Sequence, residues 1–387
     1  MKVRPHILPI IILAQFASTS LWFAGNAVID ELITKTGFGQ ELVGYVISSV
    51  QLGFIIGTLT FAVLMIADRF SPSRVFLICA ILGALCNISL LSDELTKSTL
   101  LIARFGTGFF LAGIYPVGMK IAADYYEKGL GKALGFLVGA LVIGSGLPFL
   151  FSGTSWGGNA DIVITATSAL AVFGGLLIWI FVPNGPFRLA STKLQLNTGK
   201  QLFKILRFRK AALGYFGHMW ELYAFWAFTP SAIRYFNKTM GNNLFESIWT
   251  GIVFAVGGIS CMLGGIISQR YGSKKVATTA LFISGFLCLI SPILFELPAW
   301  LFLFGWCLWG MAVTADSPQF SNLVASAIPH ELKGTGLTLV NCIGFAISIL
   351  SIELLSNLIE YVDTNYLFLI LAIGPICGLW QLNKKIS

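Results

Sequence analysis

Charged residues are scarce in this chain of 387 residues. They make up 11% of the sequence, whereas hydrophobic residues make up 56% and the mean hydropathy is +0.83. A soluble domain typically carries about 25% charged residues. Burying this much apolar surface in water would require a core larger than the chain can form. The composition therefore argues against a soluble globular protein and indicates that lipid is the solvent.

Histidine is also scarce, and paired cysteines and phosphate-binding loops are missing from the sequence. The three histidines, His6, His218 and His330, lie in different parts of the chain. None of the seven cysteines belongs to a CxxC pair, so disulfide and zinc sites are not expected. No Walker-type loop is present, which argues against ATP-driven pumping. We therefore predict no enzymatic activity, no cofactor and no metal site.

Long apolar segments dominate what the sequence does contain. A transmembrane helix needs about 20 mostly apolar residues, and the alternation typical of a membrane barrel is not visible. The first segment is too long for a signal-peptide core and lacks a small-residue cleavage pattern. The sequence thus predicts an all-α membrane protein with twelve transmembrane helices. The predicted spans are 7–29, 42–66, 73–92, 98–122, 131–152, 161–182, 211–235, 245–268, 274–294, 298–323, 334–358 and 364–383.

The basic residues indicate the orientation of these spans. Short cytoplasmic loops carry an excess of Lys and Arg. If the N-terminus is cytoplasmic, the loops on the opposite side contain only the basic residues Lys35, Lys97, Arg234 and Lys238. The net charge of +8 is spread over separate short loops, so no nucleic-acid partner is expected. We predict a monomeric, multi-pass protein of the cytoplasmic (inner) membrane with both termini in the cytoplasm.

The longest polar stretch falls between the sixth and seventh predicted spans. It begins at Pro183 and ends in a basic run at Lys210. Such a composition is typical of a linker. We therefore predict an N-terminal six-helix bundle over 1–182, a basic cytoplasmic linker over 183–210 and a C-terminal six-helix bundle over 211–387.

The two halves carry matching segments. Residues 67–75, after span two, align with residues 268–276, after span eight, at an offset of 201 positions. The same offset aligns Ser20-Leu21-Trp22 with Glu221-Leu222-Tyr223. These matches indicate a duplicated six-helix unit, so the two bundles are expected to be pseudo-symmetric. Parallel repeats of this kind are typical of transporters whose binding site lies near the midplane between the repeats.

Several of these segments resemble the major facilitator superfamily over essentially the whole chain. The loop Asp68-Arg69-Phe70-Ser71-Pro72-Ser73-Arg74 is similar to the family signature after helix two, and Leu100, Arg104 and Gly108 match its helix-four signature. Three further stretches resemble bacterial members grouped loosely with nitrate/nitrite and cyanate carriers. They are Ser20–Asn26, Gly217–Tyr223 and Asp316–Phe320.

The resemblance implies a role for the loop charges Asp68, Arg69 and Arg74. In the family, such loops carry charge pairs that hold the closed cytoplasmic face, so these three residues are predicted to act in gating. The alternative is that they only set the membrane topology.

A polar and aromatic stripe along span one is the predicted substrate-facing surface. Gln15, Thr19, Trp22 and Asn26 recur at spacings that place them on one face of a helix. At the offset of 201 positions, Trp22 corresponds to Tyr223 in span seven. We therefore include Tyr223 among the predicted substrate-binding residues.

Arg104 is a charged residue within span four. Such a residue costs at least about 2.5–3.5 kcal/mol on insertion scales, so it usually faces protein or water. On an unbroken helix, Arg104, Gly108 and Tyr115 share one face. One interpretation is that Arg104 and Tyr115 contact an anionic substrate. The other is that Arg104 joins helices by bonding to carbonyl groups.

Glu221, His218 and Asp316 are the predicted proton-coupling residues. Glu221 lies about 15 Å deep in span seven, with His218 on the same helix face. Asp316 directly precedes Ser317-Pro318, where the proline frees a backbone carbonyl. The alternatives are a structural His–Glu pair inside the C-terminal bundle and an acid that caps a broken helix. The repeat places Glu221 and His218 roughly opposite the stripe of span one, so whether they face the cavity stays open.

Together these features predict a secondary active transporter. It would move a small solute, with an anion favoured by Arg104, by alternating access and with proton coupling. An efflux carrier for amphipathic or toxic compounds is the first alternative. A non-transporting sensor, a channel and a membrane enzyme are less favoured, because the repeat and the embedded acids fit a carrier better. The expected partners are the solute, protons and the lipid bilayer.

Overall fold

The computed structural model describes residues 4–39, 41–126, 130–154, 159–188 and 196–384, and these residues form helices and no strands. The chain separates into two compact units, Met1–Lys193 and Leu194–Ser387, which we call unit one and unit two. Their boundary falls within the predicted linker 183–210, of which residues 189–195 lie outside the described residues.

The helices of unit one account for the first six predicted spans. They are α1 (Ile7–Thr19), α2 (Ala24–Ala27), α3 (Ile29–Thr36), α4 (Leu42–Val63), α5 (Ile66–Arg69), α6 (Pro72–Ile88), α7 (Lys97–Leu111), α8 (Tyr115–Tyr125), α9 (Leu130–Ser152) and α10 (Ala160–Phe181), with a 3-10 turn at Ser89–Leu91.

The helices of unit two account for the last six predicted spans. Its helices are α11 (Gly199–Leu202), α12 (Leu206–Met240), α13 (Glu246–Tyr271), α14 (Ser273–Leu294), α15 (Ala299–Ala315), α16 (Ser317–Ser326), α17 (Lys333–Leu358), α18 (Thr364–Leu367) and α19 (Ile373–Asn383), with 3-10 turns at Leu196–Thr198, His330–Leu332 and Phe368–Ala372.

Ten helical segments of the described chain are long and apolar enough to cross a membrane. They coincide with ten of the twelve predicted spans. The other two predictions correspond to the interrupted pair α1 and α2 and to α12, a helix of 35 residues. The charged residues at its ends, together with His218, Glu221 and several tyrosines and tryptophans, lower the mean hydropathy of α12. The all-helical membrane architecture is confirmed, while the count of twelve spans stays a prediction.

The first predicted span is not one continuous helix. α1 ends at Thr19 and α2 begins at Ala24. The hydroxyls of Thr19 and Ser20 donate to the carbonyls of Gln15 and Ala17, at 2.8 and 2.7 Å. Serine and threonine that bond back to the preceding turn bend or weaken helices. The stripe predicted from unbroken helical spacing is therefore divided, with Gln15 and Thr19 before the break and Asn26 after it.

Close backbone packing joins α4 to α7 in unit one. A Cβ atom added at Gly108 would lie 1.8 Å from the carbonyl oxygen of Val50, and one at Gly53 would lie 2.0 Å from that of Phe105. Small residues at helix contacts let backbones approach in membranes, where no hydrophobic effect drives helices together. Gly108 of the helix-four signature is thus a packing residue that positions Arg104, one helical turn earlier.

Proline marks the same interruption in both units. α7 and α8 are separated at residues 112–114, and Pro116 lies in the first turn of α8. α15 and α16 are separated at Asp316, and Pro318 lies in the first turn of α16. Proline is tolerated there because its missing N–H has no helical partner at that position. The prediction that Arg104 and Tyr115 share a face assumed an unbroken helix, which the structure does not have.

The beginning of the predicted linker is docked onto unit one. The Ser73 hydroxyl donates to the Val182 carbonyl at 2.6 Å, and the Tyr125 hydroxyl donates to the Pro183 carbonyl at 2.6 Å. The Arg188 guanidinium donates to the Asp68 and Phe70 carbonyls at 2.9 and 2.8 Å. In the rest of the described linker, α11 and the start of α12 are already helical.

Candidate functional site

Arg104 fills the interruption of the first span. Its side chain is fully buried, and its Nη2 donates to the carbonyls of Leu21 and Trp22 at 3.2 and 2.6 Å. Nη1 donates to Asn87 Oδ1 at 3.2 Å. These carbonyls lie between α1 and α2, where helical partners are lost, and an unpaired buried carbonyl costs about 1–3 kcal/mol. These contacts match the interpretation in which Arg104 joins helices by bonding to carbonyl groups.

Asn87 extends this network to α10. Its amide nitrogen lies 3.1 Å from Thr167 Oγ1, 3.0 Å from Ser168 Oγ and 3.3 Å from the carbonyl oxygen of Ile164. Sequence reasoning missed Asn87. The available signal was an amide side chain in the middle of an otherwise apolar span, which is costly unless it is hydrogen-bonded.

The charge of Arg104 has no acidic counterpart in the described part of the chain. Its hydrogen-bond acceptors are carbonyl and amide oxygens, and no described carboxylate forms an ion pair with it. Its Nε has no hydrogen-bond partner among the described residues and lies 3.1 Å from where a Cβ of Gly25 would be. Unit one therefore contains a buried positive charge that is hydrogen-bonded but not neutralised.

Several polar atoms of unit one are buried without a hydrogen-bond partner among the described residues. Both amide atoms of Gln15, the Asn26 carbonyl oxygen and the Ser145 hydroxyl belong to this group. The three side chains are 0%, 5% and 1% exposed. Burying such groups unpaired costs about 1–3 kcal/mol each, so each calls for a water or ligand partner. Gln15 and Asn26 are two of the predicted substrate-binding residues.

The remaining predicted contacts of the stripe have protein partners. The Thr19 hydroxyl bonds within its own helix, and a Cβ at Gly144 of α9 would lie 2.4 Å from its oxygen. The ring of Trp22 lies 5.0 Å from that of Phe54. Trp22 is fully buried and Tyr115 is half-buried.

Glu221 lies inside unit two at the contact of α12 with α14 and α15. Its Oε1 accepts from Trp309 Nε1 at 2.6 Å and from the Cys288 thiol at 3.3 Å, and its Oε2 accepts from the Ser284 hydroxyl at 2.9 Å. The side chain is fully buried. Sequence reasoning missed all three donors, because residues from separate helices have no sequence pattern that brings them together.

His218 pairs with Asp316 rather than with Glu221. Its Nδ1 lies 2.8 Å from Asp316 Oδ1, without the alignment of a linear hydrogen bond, and both side chains are fully buried. The imidazole lies between the rings of Tyr215 and Phe320, at 5.8 and 5.9 Å. The structure thus brings two predicted proton-coupling residues into contact.

Asp316 also stands at the break between α15 and α16. Its backbone carbonyl accepts from the amides of Gln319 and Phe320, both at 2.9 Å. The carboxylate is therefore attached to the turn that begins α16, while its partner His218 belongs to α12. The His218–Asp316 contact therefore joins α12 to the junction between α15 and α16.

Glu221, His218 and Asp316 face the interior of unit two, since the contacts described for them come from α12, α14, α15 and the start of α16. Tyr223 is buried two residues after Glu221, with its ring 5.3 Å from Trp226 and 5.2 Å from Phe345. These positions correspond to the bundle-interior alternative for Glu221 and His218.

The predicted gating charges lie at one end of unit one. Asp68 Oδ1 is 2.8 Å from Lys120 Nζ, which is also 4.0 Å from Asp124 Oδ1. Arg69 and Arg74 are exposed. The Asp68 contact lies within unit one, between α5 and α8, and the gating role of the three residues stays a prediction.

Comparison with known proteins places these features in context. A profile described as the Major Facilitator Superfamily matches residues 11–352. A gallate transporter from Pseudomonas putida is 29% identical over 164 residues. That alignment covers 36% of this chain and 36% of the relative, so it spans about a third of each protein.

Three solved structures share the fold at low sequence identity. The nucleoside transporter NupG superposes with a TM-score of 0.71 and 17% identity, covering 97% of this chain and 98% of its own. The human organic anion transporter MFSD10 superposes with a TM-score of 0.71 and 13% identity, covering 98% of this chain and 100% of its own. A bacterial homologue of the human lysosomal transporter Spinster superposes with a TM-score of 0.69 and 15% identity, covering 98% of this chain and 94% of its own.

Proposed function

Because this chain belongs to the major facilitator superfamily and is a transporter rather than an enzyme, we propose that it is a proton-coupled secondary carrier of small organic anions. It would work by alternating access of two six-helix bundles in the cytoplasmic membrane, with both termini in the cytoplasm. The ten candidate spans, together with α1–α2 and α12, support a total of twelve.

The observation that carries proton coupling is the buried His218–Asp316 pair. An acid and an imidazole in contact inside a bundle share a proton and a charge, and ionisable groups kept inside membrane proteins commonly serve ion pathways. The pair joins α12 to the α15–α16 break, so its protonation is linked to helix geometry. Glu221, one turn from His218 on the same helix, supplies the second protonatable group.

Unit one supplies all of the proposed solute contacts except Tyr223, which lies in unit two. Gln15 and Asn26 have buried polar atoms that no described residue hydrogen-bonds, and Ser145 of α9 adds a third such group. Trp22, Tyr115 and Tyr223 remain proposed aromatic contacts, and Thr19 remains a proposed contact on the same stripe. The unneutralised charge of Arg104 favours an anion, although its hydrogen bonds support the helix break, so we assign it attraction of the anion rather than direct recognition.

The gallate-transporter relative selects the first compounds to test. Gallate is an aromatic carboxylate, a class that combines a negative charge with a planar ring. We propose that small aromatic carboxylates are substrates. Import is the direction we propose, and export of amphipathic compounds is the competing function.

The test is transport by the purified protein in sealed proteoliposomes that contain a pH-sensitive dye. Gallate, benzoate and related carboxylates are added with and without an imposed pH gradient. We expect saturable uptake, proton movement that starts on addition of the solute, and faster uptake when protons flow inward. Proton movement opposite to the solute would indicate export by antiport. Saturable exchange without any proton movement would contradict the coupling.

Two sets of variants separate coupling from recognition. Asp316→Asn should abolish accumulation driven by the pH gradient but leave solute exchange between the two sides. Gln15→Ala should weaken solute affinity about tenfold, because one or two hydrogen bonds are lost, and should leave the proton-to-solute ratio unchanged. Unchanged accumulation in Asp316→Asn would remove the pair from the mechanism.

A further inference from the structure

A basic cavity opens at one end of unit two and plays no part in the proposed transport mechanism. Its volume is about 300 Å³, at the lower end of the range of small-molecule sites. It lies where α12 and α14 begin and where α16 and α19 end. The lining residues are Arg207, Lys210, Ala211, Lys274, Leu323, Ser326, Ala327 and Leu382.

Among the described residues, the lining of this cavity contains three positive charges and no acid. Arg207 and Lys274 are exposed, and Lys210 is half-buried. The Lys210 ammonium donates one hydrogen bond to the Lys384 carbonyl and has two further N–H donors. A concentration of cations around one concave surface favours an anionic group with several oxygens, such as a phosphate.

The rest of the cavity lining, apart from Ser326, is an apolar wall. Ala211, Leu323 and Leu382 lie next to the basic groups, and Leu382 is buried. A free phosphate ion has no apolar part that could pack against these side chains. A phosphate that carries a glycerol backbone and acyl chains has both an anionic group and apolar parts, so the lining matches a phospholipid better.

Neighbouring aromatic residues indicate that this end of unit two lies at a membrane–water boundary. Tyr271 and Trp380 are large, exposed rings, and tyrosine and tryptophan are enriched at that boundary. The Lys384 ammonium lies 5.3 Å from the Trp380 ring, and the Arg270 guanidinium lies 5.4 Å from the Tyr271 ring. The positive-inside prediction assigns this end to the cytoplasm, where anionic lipids attract basic segments.

We propose that this cavity binds the phosphodiester headgroup of an anionic phospholipid. Arg207, Lys210 and Lys274 contact the phosphate oxygens, and the apolar wall receives the start of the acyl chains. Because α12 carries both the cavity residues Arg207 and Lys210 and, farther along, His218 and Glu221, a bound lipid stabilises the helix that bears these two proposed coupling residues. The site does not depend on the identity of the transported solute.

The test is binding of soluble short-chain lipids to the purified full chain, followed by thermal unfolding monitored through tryptophan fluorescence. The probes are dihexanoyl phosphatidylglycerol, dihexanoyl phosphatidylcholine and inorganic phosphate. A ligand that binds only the folded state raises the unfolding temperature. We expect stabilisation by phosphatidylglycerol, weakening as ionic strength rises, and little by the other two.

A matched pair of triple variants makes the test specific. One variant carries Arg207→Gln, Lys210→Gln and Lys274→Gln. The control carries Lys132→Gln, Lys200→Gln and Lys204→Gln, which remove the same charge from exposed positions outside the cavity. Each cation near an anionic surface contributes about a fivefold change in affinity, so the cavity variant should bind about a hundredfold more weakly.

Each outcome of this experiment either supports or overturns the proposed lipid site. Loss of phosphatidylglycerol binding in the cavity variant, with binding retained in the control, supports the site. Equal loss in both variants would indicate general charge attraction and would overturn it. Stabilisation by inorganic phosphate as large as that by phosphatidylglycerol would overturn the lipid assignment. If the cavity variant does not fold, Lys274→Gln alone, on the exposed start of α14, should still weaken binding about fivefold.

Discussion

Near aligned positions of the two halves, unit one buries a basic side chain and unit two buries an acidic one. In unit one, Ser20 stands at the break between α1 and α2, and Arg104 bonds to the carbonyls freed beside it. At the offset of 201 positions, Ser20 corresponds to Glu221, which sits on the unbroken helix α12. Asn87, the amide partner of Arg104, corresponds in the same way to Cys288, a donor to Glu221. The aligned positions therefore lie beside a basic side chain in unit one and include or contact an acidic side chain in unit two.

The difference shows how a duplicated scaffold acquires two roles. An arginine stays charged under all physiological conditions, so Arg104 can neutralise backbone dipoles but cannot transfer protons. A carboxylate can take up a proton, and the donors around Glu221 are side chains that do not hold the backbone together. Unit one is thus expected to depend on its charge for folding, and unit two to depend on its charges for coupling.

The largest expected effect comes from Arg104→Ala. The change leaves the Leu21 and Trp22 carbonyls unpaired in a buried break, which should destabilise the protein by about 3–5 kcal/mol. Folded yield and unfolding temperature in detergent measure this loss. Arg270→Ala, an exposed change of the same type, is the control. A stable Arg104→Ala protein that has lost solute binding would instead make Arg104 a direct substrate contact and break the comparison.

Asn87→Ala should have the next largest effect. The amide connects Arg104 to α10, and its removal deprives Arg104 Nη1 of an acceptor while opening a small cavity. We expect a loss of about 2 kcal/mol, since hydrogen bonds between membrane helices average about 0.6 kcal/mol and this residue makes several. The same unfolding assay applies, with the exposed Asn357→Ala as control. No change in stability would mean that Arg104 stabilises the break between α1 and α2 without its hydrogen bond to Asn87.

Trp309→Phe tests a buried hydrogen bond of unit two, the one that the Trp309 indole donates to Glu221. It removes the donor nearest to Glu221 and keeps most of the ring packing against Phe225, whose centroid lies 4.8 Å away. A loss of about 1–2 kcal/mol is expected, together with slower proton-driven uptake. Trp300→Phe, an exposed residue on the same helix, should change neither quantity. A variant with full uptake would show that Glu221 does not need this donor.

The smallest expected effect on stability comes from Glu221→Gln. A glutamine can still accept from Trp309 and exchange hydrogen bonds with Ser284, so the free energy of unfolding should change by less than about 1 kcal/mol. Accumulation driven by the pH gradient should nevertheless be lost, while solute exchange persists. Proteoliposome uptake with Glu360→Gln as control measures both. Strong destabilisation with intact coupling would reverse the roles assigned to the two units.

Much of the architecture was predictable because its signals are local. Runs of about 20 apolar residues predicted ten spans that the structure describes as long apolar helices, and the family resemblance was confirmed over residues 11–352. Pro318 indicated the interruption between α15 and α16, whereas the prediction for span four assumed an unbroken helix despite Pro116. The break at Ser20–Phe23 was not predicted, since no proline or glycine marks it and its cause is a set of hydroxyl and arginine contacts to carbonyls.

Only part of the candidate site was predictable from such local signals. Glu221, His218 and Asp316 were recognisable because an ionisable residue in a long apolar segment is costly and therefore noticeable. Their pairing was not, since the proposed His218–Glu221 pair relied on helical spacing, whereas the structure pairs His218 with Asp316, 98 positions further along the chain.

The sequence by itself determined that this protein is a helical membrane protein and that a few charged residues fall within its apolar spans. These properties follow from composition and periodicity, which any stretch of chain expresses independently of the rest. Only the tertiary structure decided what each buried charge contacts. A buried charge must find partners wherever helices meet, and those partners come from positions that sequence spacing does not relate. Hence Arg104 bonds to a broken backbone and Glu221 to three side chains, although the repeat gives them matching surroundings.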